Sequence, residues 1–155
     1  MRIAGRELER RVAFFRDRCA RQGLALTHQR MVIYRALAMS DEHPTPEWVF
    51  EQVRREIPSI SLATVYKNIR IFLDAGLLRE VEMFGQSMRV DANVDDHHHL
   101  ICRHCRSIRD VARTDLEPVR WKKGSRRGFR IERYNVNFLG LCDKCAPKQN
   151  VLTPH

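Results

Sequence analysis

The chain has 155 residues, 43% of them hydrophobic and 30% charged, with a net charge of +9. That apolar share supports a packed core and argues against wholesale disorder, and the length suits one moderate domain or two small ones. No apolar run approaches a membrane span, and the charged start MRIAGRELERRVAFF lacks the apolar core of a secretory signal, so a soluble cytoplasmic protein is expected.

The positive charge is uneven: residues 1–35 hold nine Arg against Glu7, Glu9 and Asp17. Such an excess is either a solvated helix face or an attraction to a polyanion, most often nucleic acid. The same stretch opens with a helix over about 5–22. Leu8, Val12, Phe15 and Cys19 recur at spacings of three and four, and Gly23 ends the run. Cys19 stands alone on that apolar side and reads as a small buried residue. A second helix starts at Thr27, a capping residue, and runs to about Met39 with Met31, Ile33, Tyr34 and Leu37 on its apolar side. Thr45 and Pro46 open a third helix, which reaches about Glu56 and stops before Pro58.

The fourth segment, SISLATVYKNIRIFLDAGLL, has Ser61 as its cap and Val65, Ile69, Phe72 and Leu73 as its buried stripe, with Gly76 closing it. LLREVEM, a turn at FGQS and MRVDA then read as a two-stranded hairpin. Helices followed by a small hairpin are the plan of a winged helix-turn-helix, in which the helix before the wing enters the major groove of DNA. On that plan Ser61, Thr64, Lys67 and Arg70 reach phosphates or base edges, and Tyr66, which lies off the stripe, packs its ring on a thymine methyl. Arg16 and Arg21 of the first helix add phosphate or minor-groove contact.

Past residue 89 short strands alternate with metal-type side chains. HLICRHC and RSIRDVA read as strands around a tight turn, TDLEPVRWKK as a short helix, GFRIERYNVNFLGLC as an alternating strand, and CDKCAPKQNVLTPH as a loose end. Cys102-x2-Cys105 and Cys142-x2-Cys145, with 36 residues between them, supply four thiolates, the ligand set of structural zinc. Such a site has no open position and builds the fold. His97 and His99 are two apart on a strand and share a face, with His98 on the other. With Asp91 and Asp110 they offer the nitrogen and oxygen donors that suit Fe(II) or Mn(II), though a histidine row is also found in plain wet loops.

Taken together, SLATVYKNIR from Ser61 and DHHHLICRHC from Asp96 resemble the ferric uptake regulator family, and the likeness runs from T27-H-Q-R to C142-D-K-C. The resemblance implies an α+β chain: a winged helix-turn-helix DNA-binding domain (1–89), a hinge (90–96), and a C-terminal α/β dimerisation domain (97–155) with a four-cysteine zinc site. It implies a homodimeric, metal-dependent repressor of operator DNA, with no catalytic residues. In the peroxide-sensing branch the regulatory ligands are three His and two Asp, which match His43, Asp91, His97, His99 and Asp110. Iron sensors usually carry Glu at the position of Asp91, so the resemblance favours that branch, with His43 and His97 as the oxidation targets. The alternative within the family is a regulator of iron, zinc or nickel uptake. A further metal site of many iron sensors maps to His98, Glu117 and Tyr134, where Tyr replaces the expected His and puts that site in doubt. His28 and His104 read as surface residues. Outside the family, a zinc-dependent hydrolase built on His97, His99 and Asp91 would lack a separate general base, and a zinc-ribbon adaptor would leave His43 and Asp110 idle.

Overall fold

The computed structural model describes residues 3–81, 88–120, 122 and 128–146. The chain forms two compact units that divide between Val94 and Asp95.

The first unit is a winged helix-turn-helix. Helix α1 spans Gly5–Arg21, α2 His28–Ala38, α3 Pro46–Val53 and α4 Leu62–Asp74. Three starts follow from capping side chains: Thr27 accepts from Arg30 N, Thr45 from Trp48 N and Ser61 from Thr64 N. Two ends follow from left-handed glycines, Gly23 (φ 64°) and Gly76 (φ 66°), each followed by an amide that reaches back to close the last turn. Helix α3 is shorter than expected. Val53 is its last residue and a turn carries residues 54–57, because the residue before Pro58 is driven away from helical geometry.

The apolar stripes of the helices meet in one core. Phe15 of α1 stacks on Tyr34 of α2 at 4.1 Å, and Phe72 of α4 meets both rings edge-on. Val49, Val53, Val65, Ile69 and Leu77 fill the rest. Arg18 and Gln22 of α1 both donate to the Ala75 carbonyl, tying the end of α4 to α1. Strands β1 (Arg79–Val81) and β2 (Arg89–Asp91) form the antiparallel wing, with Arg79 opposite Asp91. The turn expected at residues 84–87 lies outside the described residues. Asp91, read in the sequence both as part of the hairpin strand MRVDA and as lying within the hinge over 90–96, is the last residue of a wing strand.

The second unit is a three-stranded sheet in the order β4–β3–β5, where β3 is His97–Cys102, β4 Ile108–Ala112 and β5 Asn137–Gly140. Strands β3 and β4 are antiparallel, while β3 and β5 are parallel. Two expectations are corrected here. The helix expected over residues 114–123 is a single 3-10 turn, Arg113–Asp115, and the described chain then runs without regular structure to Arg120. Pro118 removes a backbone donor and bars Glu117 from helical geometry, so no helix can propagate through it. The strand expected over residues 128–142 is only the four residues of β5. Phe129 and Ile131 keep the alternating pattern but are exposed and have no ladder partner among the described residues. The end beyond Ala146, expected to be loose, lies outside the described residues.

Candidate metal centres and DNA-reading helix

The ends of β3 and β5 bring the two cysteine knuckles together. Cys102 pairs in register with Gly140, so the chain leaves both strands at the same end of the sheet. The first knuckle closes through Arg106 N donating to Cys102 O, and the second through Cys145 N and Ala146 N donating to Cys142 O. The four sulfur atoms all lie within 4.8 Å of one another, and Cys105 Sγ is 3.6 Å from Cys142 Sγ. A tetrahedron with metal–sulfur bonds of about 2.3 Å has edges of roughly 3.8 Å, so the set fits zinc. The thiols are not equivalent without a cation. Backbone amides, first that of Cys142, hold Cys102 down to about 5, and the Ser107 hydroxyl lowers Cys105. Cys145 is pushed up to about 12 by desolvation and then by the neighbouring sulfurs. Four sulfurs this close cannot all carry charge unless a divalent cation shares it.

A second set of donors lies elsewhere on the same sheet. His97 and His99 do share a face of β3, and Asp110 of β4 pairs directly with His99. The Nε2 atoms of the two rings are 2.9 Å apart, and Asp110 Oδ1 lies 3.7 Å and 4.0 Å from them. Each ring uses its other nitrogen on the protein: His97 Nδ1 sits 2.8 Å from the Asp95 carbonyl and His99 Nδ1 3.1 Å from Asn137 Oδ1. Oxygen acceptors require protons on both Nδ1 atoms, which leaves two Nε2 lone pairs pointing at each other. Only a proton or a metal between them relieves that contact. The spacing equals that of adjacent ligands with bonds of about 2.1 Å, so the residues fit a metal bound through nitrogen and carboxylate.

The first unit holds two more donors of the same kind. His43 Nε2 lies 3.6 Å from Asp91 Oδ2, and both side chains are buried. His43 adopts a left-handed backbone (φ 49°), an uncommon state for a non-glycine residue. Its loop is clamped to the wing, since Arg89 donates to the His43 carbonyl and Val90 N to that of Pro44.

His98 points the other way, stacked on Tyr134, and its Nδ1 accepts from Val136 N. Its pairing with the Tyr that replaces the expected His makes it a packing residue. Among the described residues no third metal-type cluster includes His98 or Glu117. His28 and His104 are exposed and Cys19 is buried among core residues.

Helix α4 presents Tyr66, Lys67 and Arg70 to solvent. Ser61 is exposed and Thr64 half-buried, and their hydroxyls are 2.8 Å apart and serve the cap. The Tyr66 hydroxyl donates to Glu47 Oε1 of α3 at 2.5 Å, so its ring, not its hydroxyl, is the group left to offer. Arg16 and Arg21 are exposed on α1, with Arg21 bridged to Asp17. Sequence reasoning missed Glu47 and Asn137. Nothing in a linear pattern says that a residue 38 positions on will face His99.

A winged helix followed by a sheet with four clustered thiolates and a separate histidine–carboxylate set defines a metal-dependent regulator that binds DNA. The ferric uptake regulator family matches residues 21–139, and the chain belongs to that family. The peroxide operon regulator of Bacillus subtilis is 33% identical over 128 residues, covering 83% of this chain and 88% of that one. A crystal structure of the Campylobacter jejuni peroxide stress regulator superposes with a TM-score of 0.65 at 26% identity, covering 86% of this chain and 98% of that one. The Helicobacter pylori ferric uptake regulator, described as having three functional metal-binding sites, shares the fold with a TM-score of 0.71 at 20% identity, covering 97% and 99%.

Proposed function

We propose that this regulator is a cytoplasmic, homodimeric repressor that senses hydrogen peroxide through oxidation of a histidine that holds its regulatory metal. The observation that carries the reading is the facing pair of Nε2 atoms of His97 and His99 beside Asp110, a nitrogen and oxygen set kept apart from the thiolates. His43 and Asp91 supply the same donor chemistry from the first unit. Three imidazoles and two carboxylates are hard enough for Fe(II) or Mn(II), while the cysteines take Zn(II). The two relatives that carry peroxide in their names favour this branch over metal-uptake control.

In this reading His43, Asp91, His97, His99 and Asp110 serve one divalent ion. Binding that ion favours the DNA-binding state over others. A bound ferrous ion would supply the electron transfer that cleaves the O–O bond of peroxide; over the whole step peroxide gains two electrons from one imidazole, one of its oxygens ends on the ring of His43 or His97, and the other leaves as water. An oxidised ring is a poorer donor, so the ion is held less tightly and the DNA-binding state is no longer favoured. The change is stoichiometric.

Dimerisation is supported by apolar side chains on the second unit: Leu100 and Phe138, register partners on one face of β3 and β5, are 49% and 38% exposed, and Leu139 on the other face is 58% exposed. Exposed apolar side chains on a sheet with an open edge suit a second copy. Two copies would then present two α4 helices to two half-sites of an operator, with Tyr66, Lys67 and Arg70 facing the bases and phosphates, Ser61 and Thr64 at the helix start, and Arg16 and Arg21 on the flank.

The test is release from DNA. With Fe(II) loaded anaerobically, a low dose of peroxide should dissociate the protein from its operator, and with Mn(II) loaded the complex should persist. Loss of binding that follows metal depletion but ignores peroxide would instead identify a regulator of iron, zinc or nickel uptake.

A further inference from the structure

The two sensor-set histidines of the second unit are oriented by different kinds of acceptor. His97 Nδ1 donates to a backbone carbonyl, that of Asp95, which no substitution removes. His99 Nδ1 donates to a side chain, Asn137 Oδ1, at 3.1 Å. The contact is built by the fold: His99 and Asn137 are register partners in the parallel β3–β5 ladder, and His99 N donates to Val136 O at 3.0 Å. Asparagine is a poor strand former, yet it begins a four-residue strand whose next residues are Phe138 and Leu139. A local cost of this kind calls for a compensating role.

We propose that Asn137 is the positioning residue that sets how tightly the His97–His99–Asp110 set binds a divalent metal. The inference rests on the reading of that set as the sensor site. Asn137 fixes the proton of His99 on Nδ1 and so aims the Nε2 lone pair at Nε2 of His97. A neutral amide oxygen is a weaker acceptor than a carboxylate, so it orients the ring without making it a stronger base. The site then holds its metal firmly enough to fill and loosely enough to exchange, as a sensor requires. A carboxylate at the same position would turn it into a tighter trap.

The test uses the full chain with its cysteine site metal-loaded, and Mn(II) titrated anaerobically with detection by electron paramagnetic resonance. Asn137→Leu should lower Mn(II) affinity about 10- to 100-fold, the usual cost of removing the partner of a ligating histidine, and Asn137→Asp should raise it about tenfold. In the protein free of Mn(II), nitrogen chemical shifts of His99 should report the Nδ1–H tautomer in the wild type and a mixture in Asn137→Leu. Should Asn137→Leu fail to fold, Asn137→Asp alone decides, and an affinity at or below wild type overturns the inference. Equal affinities in three proteins that all bind Mn(II) overturn this inference alone. A wild type that binds no more Mn(II) than His97→Ala overturns the sensor reading and this inference with it.

Discussion

Cys142→Ser protein is expected to lose its zinc and with it the folded second unit. The sheet there has three short strands, the described residues include no α-helix, and few of its residues are fully buried. A unit this small cannot supply much stability from apolar burial alone. Structural zinc in small domains contributes about 10–16 kcal/mol of binding free energy, comparable to the roughly 5–15 kcal/mol that holds a whole domain folded. Removing one of four sulfurs that cluster within 4.8 Å breaks the link between the ends of β3 and β5. The first unit should survive, because its core, from Phe15, Tyr34 and Phe72 to Val49, Val53 and Leu77, lies within that unit. Zinc content, sedimentation and a two-phase melting curve check this. A single unchanged transition with zinc lost would show that the metal is dispensable to the fold.

His97→Ala should give the opposite phenotype, an intact fold that no longer responds. The zinc cluster does not use this ring, so melting should shift little. Mn(II) affinity should fall by more than about 100-fold, since loss of a mere hydrogen-bond partner to a ligand already costs about 10- to 100-fold. Operator affinity should fall by about a thousandfold, toward the protein's non-specific level. Titration with Mn(II), then fluorescence anisotropy on operator DNA, measures both. Operator binding that stays metal-dependent at wild-type levels would remove His97 from the regulatory set.

Much of this is legible in the residues alone. Thr27, Thr45 with Pro46, Ser61 and Gly76 punctuate the helices through local hydrogen bonds and backbone geometry, and these act over three or four residues. The two C-x2-C pairs point to a shared metal because two such knuckles supply the four thiolates of a structural zinc site, although separate thiol pairs would read the same in the sequence. The common face of His97 and His99 follows from the two-residue period of a strand. What stays hidden is long-range. The parallel pairing of β3 with β5 brings Asn137 beside His99, and no local pattern encodes which residues of a later strand will align. The expected helix after Asp115 gives way to a single 3-10 turn because Pro118 cannot continue it. The overlong final strand comes from trusting alternation, at Phe129 and Ile131, where no ladder partner is present among the described residues. The wing is legible in outline, since LLREVEM and MRVDA contain its two strands, but strands of only three residues leave almost no periodic signal from which to set their ends.

On the proposed function, a histidine among His43 and His97 is the peroxide target. The most direct measurement is intact-protein mass spectrometry with peptide mapping, after anaerobic loading with Fe(II) or Mn(II) and a brief low dose of peroxide. One oxygen atom should be added, on His43 or His97, in the iron-loaded protein alone. Iron-loaded protein that leaves both rings unmodified while its DNA binding still follows metal occupancy would contradict that function.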